Sequence, residues 1–83
     1  MNNSSHFVYL LRCSDDSLYT GYTTDVQRRL ATHQAGKGAK YTRSRLPVSL
    51  AIAFPFQTKG EALRFENRVK KLPRAEKLAL LAK

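Results

Sequence analysis

The sequence predicts an α+β domain: a three-stranded, mainly antiparallel β-sheet flanked by helices, in the order ββαβαα. Three observations predict it. Two short runs of strand-forming residues near the N-terminus flank a polar turn, two capping signatures each open a stretch with helical spacing, and a third apolar strand stands between those helices. A chain of 83 residues makes one small domain, residues 1–83, with a core over about 6–72 and a closing helix over about 74–82. A domain of this size buries too little surface to enclose a large cofactor cavity, so any site on it is a shallow cleft.

The first strand is His6-Phe7-Val8-Tyr9-Leu10-Leu11-Arg12-Cys13, with Phe7, Tyr9 and Leu11 on one face and Val8, Leu10 and Arg12 on the other. Ser14-Asp15-Asp16-Ser17 is a turn cluster, and Leu18-Tyr19-Thr20-Gly21-Tyr22 is the returning strand of a hairpin. Thr24-Asp25-Val26-Gln27 fits a capping box with Thr24 as N-cap, opening a helix to about Ala35, where Gly36 can stop it. The stretch from Gly36 to Arg45 has no clear period and is expected to be an exposed loop. The third strand sets Val48, Leu50, Ile52 and Phe54 on one face against Ser49, Ala51 and Ala53 on the other, and Pro55 is expected to end or kink it. A second capping box, Thr58-Lys59-Gly60-Glu61, opens a helix to about Leu72. Pro73 then suits the first turn of a last helix that offers Leu78, Leu80 and Leu81 for docking.

Composition narrows the function. With 42% hydrophobic and 25% charged residues the chain reads as globular rather than disordered. One cysteine, Cys13, can form neither an internal disulfide nor a zinc cluster and fits a reducing compartment. Residues 1–5 lack the charged and apolar regions of a signal peptide, and no apolar run approaches the roughly 20 residues needed to span a bilayer. A soluble, cytoplasmic protein with no membrane partner is expected. The formal charge is +9, and it is unevenly placed: residues 1–25 sum to −2, while residues 26–83 sum to +11. From Val26 to Gly60 there is no acidic residue. Such an excess either keeps a surface solvated or binds a polyanion by releasing its counterions, and nucleic acid is the favoured partner.

Several residues break the packing pattern. At about 100° per residue, with Ala62 at zero, Phe65 and Val69 fall near 300° and 340° while Glu66 falls near 40°, inside the apolar arc. A carboxylate there is costly unless paired, for which Arg29 is one candidate, or bound to a metal. On the first helix Arg29 and His33 form an i,i+4 pair at one edge of the apolar face, where a histidine can be structural or functional. Four tyrosines, Tyr9, Tyr19, Tyr22 and Tyr41, exceed what the core needs, and Tyr9 and Tyr19 are candidate cross-strand neighbours.

These residues resemble the GIY-YIG nuclease family. The resemblance rests on Phe7-Val8-Tyr9 and Tyr19-Thr20-Gly21 in the hairpin, Arg29 and His33 on the next helix and Glu66 on a later one. It extends over about residues 6–72 and is greatest toward small stand-alone bacterial members. It implies that Tyr9 and Tyr19 are the two motif tyrosines and Gly21 the glycine that closes the second motif. It also makes Arg29 the catalytic arginine and Glu66 the single metal-ligating carboxylate, with His33 at a position that is histidine or tyrosine in relatives. The sequence departs from the pattern in reading Phe-Val-Tyr for Gly-Ile-Tyr, and Tyr22 stands where some relatives have lysine. No match is found for an asparagine that some relatives carry near the domain end.

The implied chemistry is hydrolysis of a phosphodiester in DNA, in preference to RNA, one strand at a time and on structured or damaged substrates. Mg²⁺ or another divalent cation such as Mn²⁺ would sit on Glu66 and phosphate oxygens, since such an ion keeps much of its hydration shell. Arg29 would stabilise the phosphorane. Tyr19 is the candidate base by resemblance and His33 by its intrinsic pKa, with Tyr9 orienting water or phosphate. Gly21, Tyr22, Lys37, Lys40, Tyr41, Arg43 and Arg45 form the candidate substrate-binding set, extended by Lys70 and Lys71. Tyr41 either stacks on a base or anchors its loop. The chain is expected to be a monomer or weak dimer, with a protein partner as one route to targeting. Two rival readings stand beside the nuclease: a non-catalytic nucleic-acid-binding module on the same scaffold, and a protein-interaction domain using the last helix.

Overall fold

The computed structural model describes residues 5–82. The tail read above for a signal peptide lies, apart from Ser5, outside the described residues. Seven elements follow in order: β1 (His6–Arg12), β2 (Leu18–Thr23), α1 (Val26–Gln34), α2 (Lys40–Arg43), β3 (Ser49–Phe56), α3 (Lys59–Lys70) and α4 (Arg74–Leu81). The three strands form one antiparallel sheet in the order β2-β1-β3. β1 is therefore central, which is why Val8, Tyr9, Leu10 and Leu11 are all buried despite pointing alternately to two faces. Among the described residues no helix is long and apolar enough to cross a membrane.

The hairpin turn is held locally. Asp15 accepts from the Ser17 backbone and hydroxyl at 3.0 and 2.5 Å, and Asp16 takes a positive φ of 66°. Arg74 donates to the Asp16 carbonyl and ties the start of α4 to this turn.

The two faces carry different layers. Tyr9, Leu11, Cys13 and Val48 pack with Leu30 of α1, Tyr19, Leu46, Leu50 and Ala53 on one side. Leu10, Leu18 and Val69 pack on the other with Ile52, Phe54, Phe65 and three leucines of α4. Leu78, Leu80 and Leu81 thus dock as their spacing predicts.

The structure corrects four local expectations. The third strand does not keep one alternation. Leu10 pairs with Ile52 but Leu11 pairs with Leu50, so Ala51 is an extra residue, a β-bulge. The bulge moves Leu50 to the α1 face with Val48, while Ile52 and Phe54 face α3. Pro55 lies inside β3, opposite Phe7. An edge strand tolerates it because an N–H missing from the open side breaks no ladder bond. The N-cap of α1 is Asp25, whose carboxylate accepts from Arg28 N at 3.1 Å, and not Thr24. Aspartate is the better cap, and it leaves Thr23 to bond the Asp25 backbone. Finally, the stretch expected as an exposed loop contains the short α2, with Thr42 fully buried. Thr58 caps α3 as predicted, its hydroxyl accepting from Glu61 N at 3.1 Å.

Candidate active site

Tyr9 projects from the central strand directly opposite Gly21, not opposite Tyr19, which pairs with Leu11. The two tyrosines are diagonal neighbours with ring centroids 6.4 Å apart. The Tyr9 ring lies across Gly21: a Cβ there would stand 2.5 Å from the Tyr9 Cζ. The glycine thus makes room for the phenol of its own fold.

α1 brings the next two groups. Its Asp25 cap fixes where the helix begins, and an i,i+4 spacing then sets Arg29 and His33 on one side. His33 is completely buried. Its Nε2 lies 2.9 Å from the Tyr9 hydroxyl and its Nδ1 lies 2.8 Å from Thr42 Oγ1. Arg29 Nε donates to the same Tyr9 oxygen across a longer 3.4 Å. Burial raises the Tyr9 pKa above its ordinary value, opposed by the hydrogen bond from Arg29 and assisted by the neighbouring Tyr19 and Glu66. Burial also lowers the His33 pKa, with the Arg29 charge adding to it. At neutral pH the resting pair is an uncharged phenol beside an uncharged imidazole.

Tyr19 meets His33 through its ring, at 5.3 Å and 59°. It stacks on Tyr41 at 6.0 Å and 25°. Arg45 covers the Tyr41 ring at 3.8 Å, donates to its carbonyl at 2.8 Å and pairs with Asp15 at 3.0 Å. Arg45 and Tyr41 therefore hold each other and the hairpin turn, which favours the anchor reading of Tyr41. Lys37, Lys40 and Arg43 are exposed.

Glu66 arrives from α3, the layer on the opposite face of the sheet. Its carboxylate is only 12% exposed and pairs with Lys70 at 3.1 Å, not with Arg29. The two layers meet around β2, an edge strand. A groove of about 260 Å³ there is lined by Leu18, Tyr19, Thr20, Tyr41, Lys70 and Lys77, and so touches groups from both. The Glu66 charge is close enough to raise the Tyr9 pKa. Among the described residues no three His, Cys, Asp or Glu side chains gather as a ready-made metal site. A hard divalent cation that keeps most of its waters fits a single carboxylate completed by substrate phosphate, so the residues suit Mg²⁺ or Mn²⁺ in that shared sense.

Tyr22 does not join this group. It points to the other face of β2, 2.7 Å from His6 Nδ1 and under Lys59 at 5.9 Å. Strand alternation requires this, since Tyr19 and Gly21 hold the first face. Three residues escape sequence reasoning. Lys77 on the last helix lines the groove, Thr42 binds His33, and Gly38 abuts the His33 ring, where a Cβ would stand 2.7 Å from Cγ. A threonine within a basic run carries no sequence signal for such a contact.

Comparison with known proteins places the chain in a family. The family model described as the GIY-YIG catalytic domain matches residues 5–79. A UPF0213 protein of Bacillus velezensis is 58% identical over 77 residues, covering 93% of this chain and 78% of that one. A UPF0213 protein of Halobacterium salinarum is 60% identical over 75 residues, covering 90% and 97%. Among solved structures, the solution NMR structure of a UPF0213 protein from Bacillus halodurans is 53% identical with a TM-score of 0.62, covering 93% of this chain and 82% of that one. The solution NMR structure of a protein from E. faecalis is 44% identical with a TM-score of 0.65, covering 98% of this chain and 86% of that one.

Proposed function

The chain belongs to the GIY-YIG family, and from that premise we propose that it is a metal-dependent endonuclease that hydrolyses phosphodiester bonds in DNA, one strand at a time. The observation that carries the reading is the buried hydrogen bond between Tyr9 and His33 beside Arg29. A phenol acts as a base near neutral pH only if its own proton has an acceptor. Tyr9 has one in His33 Nε2.

This exchanges the roles expected of the two tyrosines. The Tyr9 oxygen takes a proton from the attacking water as its own proton passes to His33 Nε2, and the hydroxide attacks phosphorus in line. The bond to the leaving oxygen breaks on the far side, and that oxygen collects a proton from solvent. The products are a phosphomonoester end and a hydroxyl end. The Tyr9 hydroxyl occupies the Nε2 of the buried His33, so His33 serves as a base only through Tyr9. Arg29 stabilises phenolate character on Tyr9 and charge building on the phosphate. Tyr19, at the groove wall, positions the water or the phosphate. Glu66 is the residue to hold Mg²⁺ or Mn²⁺, which when bound supplies Lewis-acid polarisation of the scissile phosphate. Lys70 and Lys77 carry the flanking backbone along the β2 edge.

The test is a cleavage assay on nicked, flapped and single-stranded DNA, with matched RNA, in Mg²⁺, Mn²⁺ or EDTA. Metal-dependent cleavage of DNA is expected, with Glu66→Ala slower by about 10²–10³-fold. No metal-dependent cleavage, with Glu66→Ala binding DNA as well as the unaltered protein, would replace the nuclease with a binding module.

A further inference from the structure

We propose that Thr42 is a positioning residue for this chemistry: its hydroxyl holds His33 as the Nδ1–H tautomer and so keeps Nε2 free to receive the Tyr9 proton. The mechanistic part rests on the nuclease reading; the tautomer itself does not.

The argument is one of counting protons. A threonine hydroxyl has one to give. Thr42 Oγ1 donates it to the Ala39 carbonyl at 2.9 Å, closing a local turn. Toward His33 Nδ1, 2.8 Å away, it therefore presents a lone pair, and Nδ1 must carry the hydrogen. In a neutral imidazole Nε2 is then the acceptor. Among the described residues the group on Nε2 is the Tyr9 hydroxyl at 2.9 Å, which is then the donor. Every proton in the chain thus runs one way, from Tyr9 to His33 and from His33 to Thr42. The opposite tautomer would swing the Thr42 hydroxyl hydrogen from the Ala39 carbonyl to Nδ1 and set two donors, the imidazole N–H and Arg29, on the Tyr9 oxygen, leaving the phenol proton with no acceptor in this cluster.

Burial makes the arrangement binding. Thr42 and His33 are both fully buried, so water cannot replace a missing partner. The β-branch of threonine also restricts χ1 and holds the hydroxyl on its target. Gly38 closes on the ring from the same chain segment, since only a residue without Cβ fits against His33 there. The segment from Gly38 to Thr42 is therefore a holder for the imidazole, formed where the sequence shows only a basic loop. Once His33 has taken the Tyr9 proton, its Nδ1–H bond to Thr42 remains in place.

Two readouts test this on the full chain. Long-range ¹H–¹⁵N NMR of the imidazole reports the tautomer without substrate. Single-turnover cleavage reports the consequence. The unaltered protein and Thr42→Ser are expected to show the Nδ1–H pattern, and Thr42→Val a mixture of tautomers. Cleavage by Thr42→Val should fall by on the order of 10–10²-fold, the size of losses seen when the partner orienting a functional histidine is removed. Thr42→Ser should recover to within a few-fold, with the substrate concentration for half-maximal rate unchanged in both. An Nε2–H tautomer in the unaltered protein overturns the proposal, whether or not any variant folds. So does a Thr42→Ser variant that keeps its fold but is as slow as Thr42→Val, because packing alone would then explain the loss. An uncleaved substrate with a Thr42-dependent tautomer would overturn the nuclease reading and leave the Thr42–His33 assignment standing.

Discussion

The two faces of the sheet are built from the same three strands and do different things. On the α3–α4 face the packing residues are apolar: Leu10, Leu18 and Val69 meet phenylalanines and leucines. On the α1 face the buried volume includes Tyr9, His33 and Thr42, each joined to the next by a hydrogen bond. An apolar layer responds to change by degrees, because its contacts are many and individually weak. A buried polar chain responds abruptly, because removing one member strands another. The buried polar chain thus lies on the α1 face alone, while Glu66 belongs to the α3 side, and substitutions can separate the two layers.

The largest effect on stability is expected on the apolar face. Leu10→Ala removes a fully buried side chain and should lower unfolding stability by about 2–5 kcal/mol, read from urea denaturation. The folded fraction should still cleave at an unchanged rate; a matching loss of rate per folded molecule would show that the faces are not separable. Gly21→Ala tests the other face. A methyl there meets the Tyr9 ring, and overpacking of this kind typically costs about 1–3 kcal/mol. Its cleavage rate should fall further than its stability implies, since the ring must leave His33 to relieve the clash. If cleavage persists at full rate with the collision relieved, Tyr9 is not the base.

The smallest expected effect is on pH dependence, and the polar face contributes two groups to it. His33 has its pKa lowered from 6.5, so the unfolded chain binds a proton that the folded chain refuses. Its contribution is present above about pH 6.5 and is lost as pH falls through the folded value. Tyr9 has its pKa raised from 10.0, so its contribution is present below about pH 10 and is lost as pH rises through the folded value. Thermal melts across pH should show both limbs, the alkaline one reduced in Tyr9→Phe. An alkaline limb unchanged in Tyr9→Phe would show that Tyr9 titrates as it does in the unfolded chain.

Legibility in the sequence followed the range of the interaction. The β1–β2 hairpin, the Thr58 cap and the docking of Leu78, Leu80 and Leu81 rest on residues a few positions apart. The Ala51 bulge does not, because a bulge is a mismatch between two strands and neither strand alone contains it. The same limit applied to the site. The anomaly of Glu66 inside an apolar arc was visible from helical spacing, but its partner was not. Arg29 was a candidate by charge, and Lys70 is the partner because α3 packs on the opposite side of the sheet from α1. Tyr22 was grouped with the substrate-binding residues by its place beside the motif, and strand alternation turned it to the other face.

By itself the sequence determined the order of elements, the antiparallel three-stranded sheet, the basic second part of the chain and membership of a family readable from Tyr9, Tyr19, Gly21, Arg29 and Glu66. Each follows from turn chemistry, periodicity, capping or motif. Only the tertiary structure decided which tyrosine bonds to His33 and which residue meets the other nitrogen of that histidine. Tyr9 and His33 are 24 residues apart, and Thr42 is nine further on. Their hydrogen bonds form because a central strand, a capped helix and a short buried turn close on one another. That closure is a property of the packed chain, which no local pattern carries.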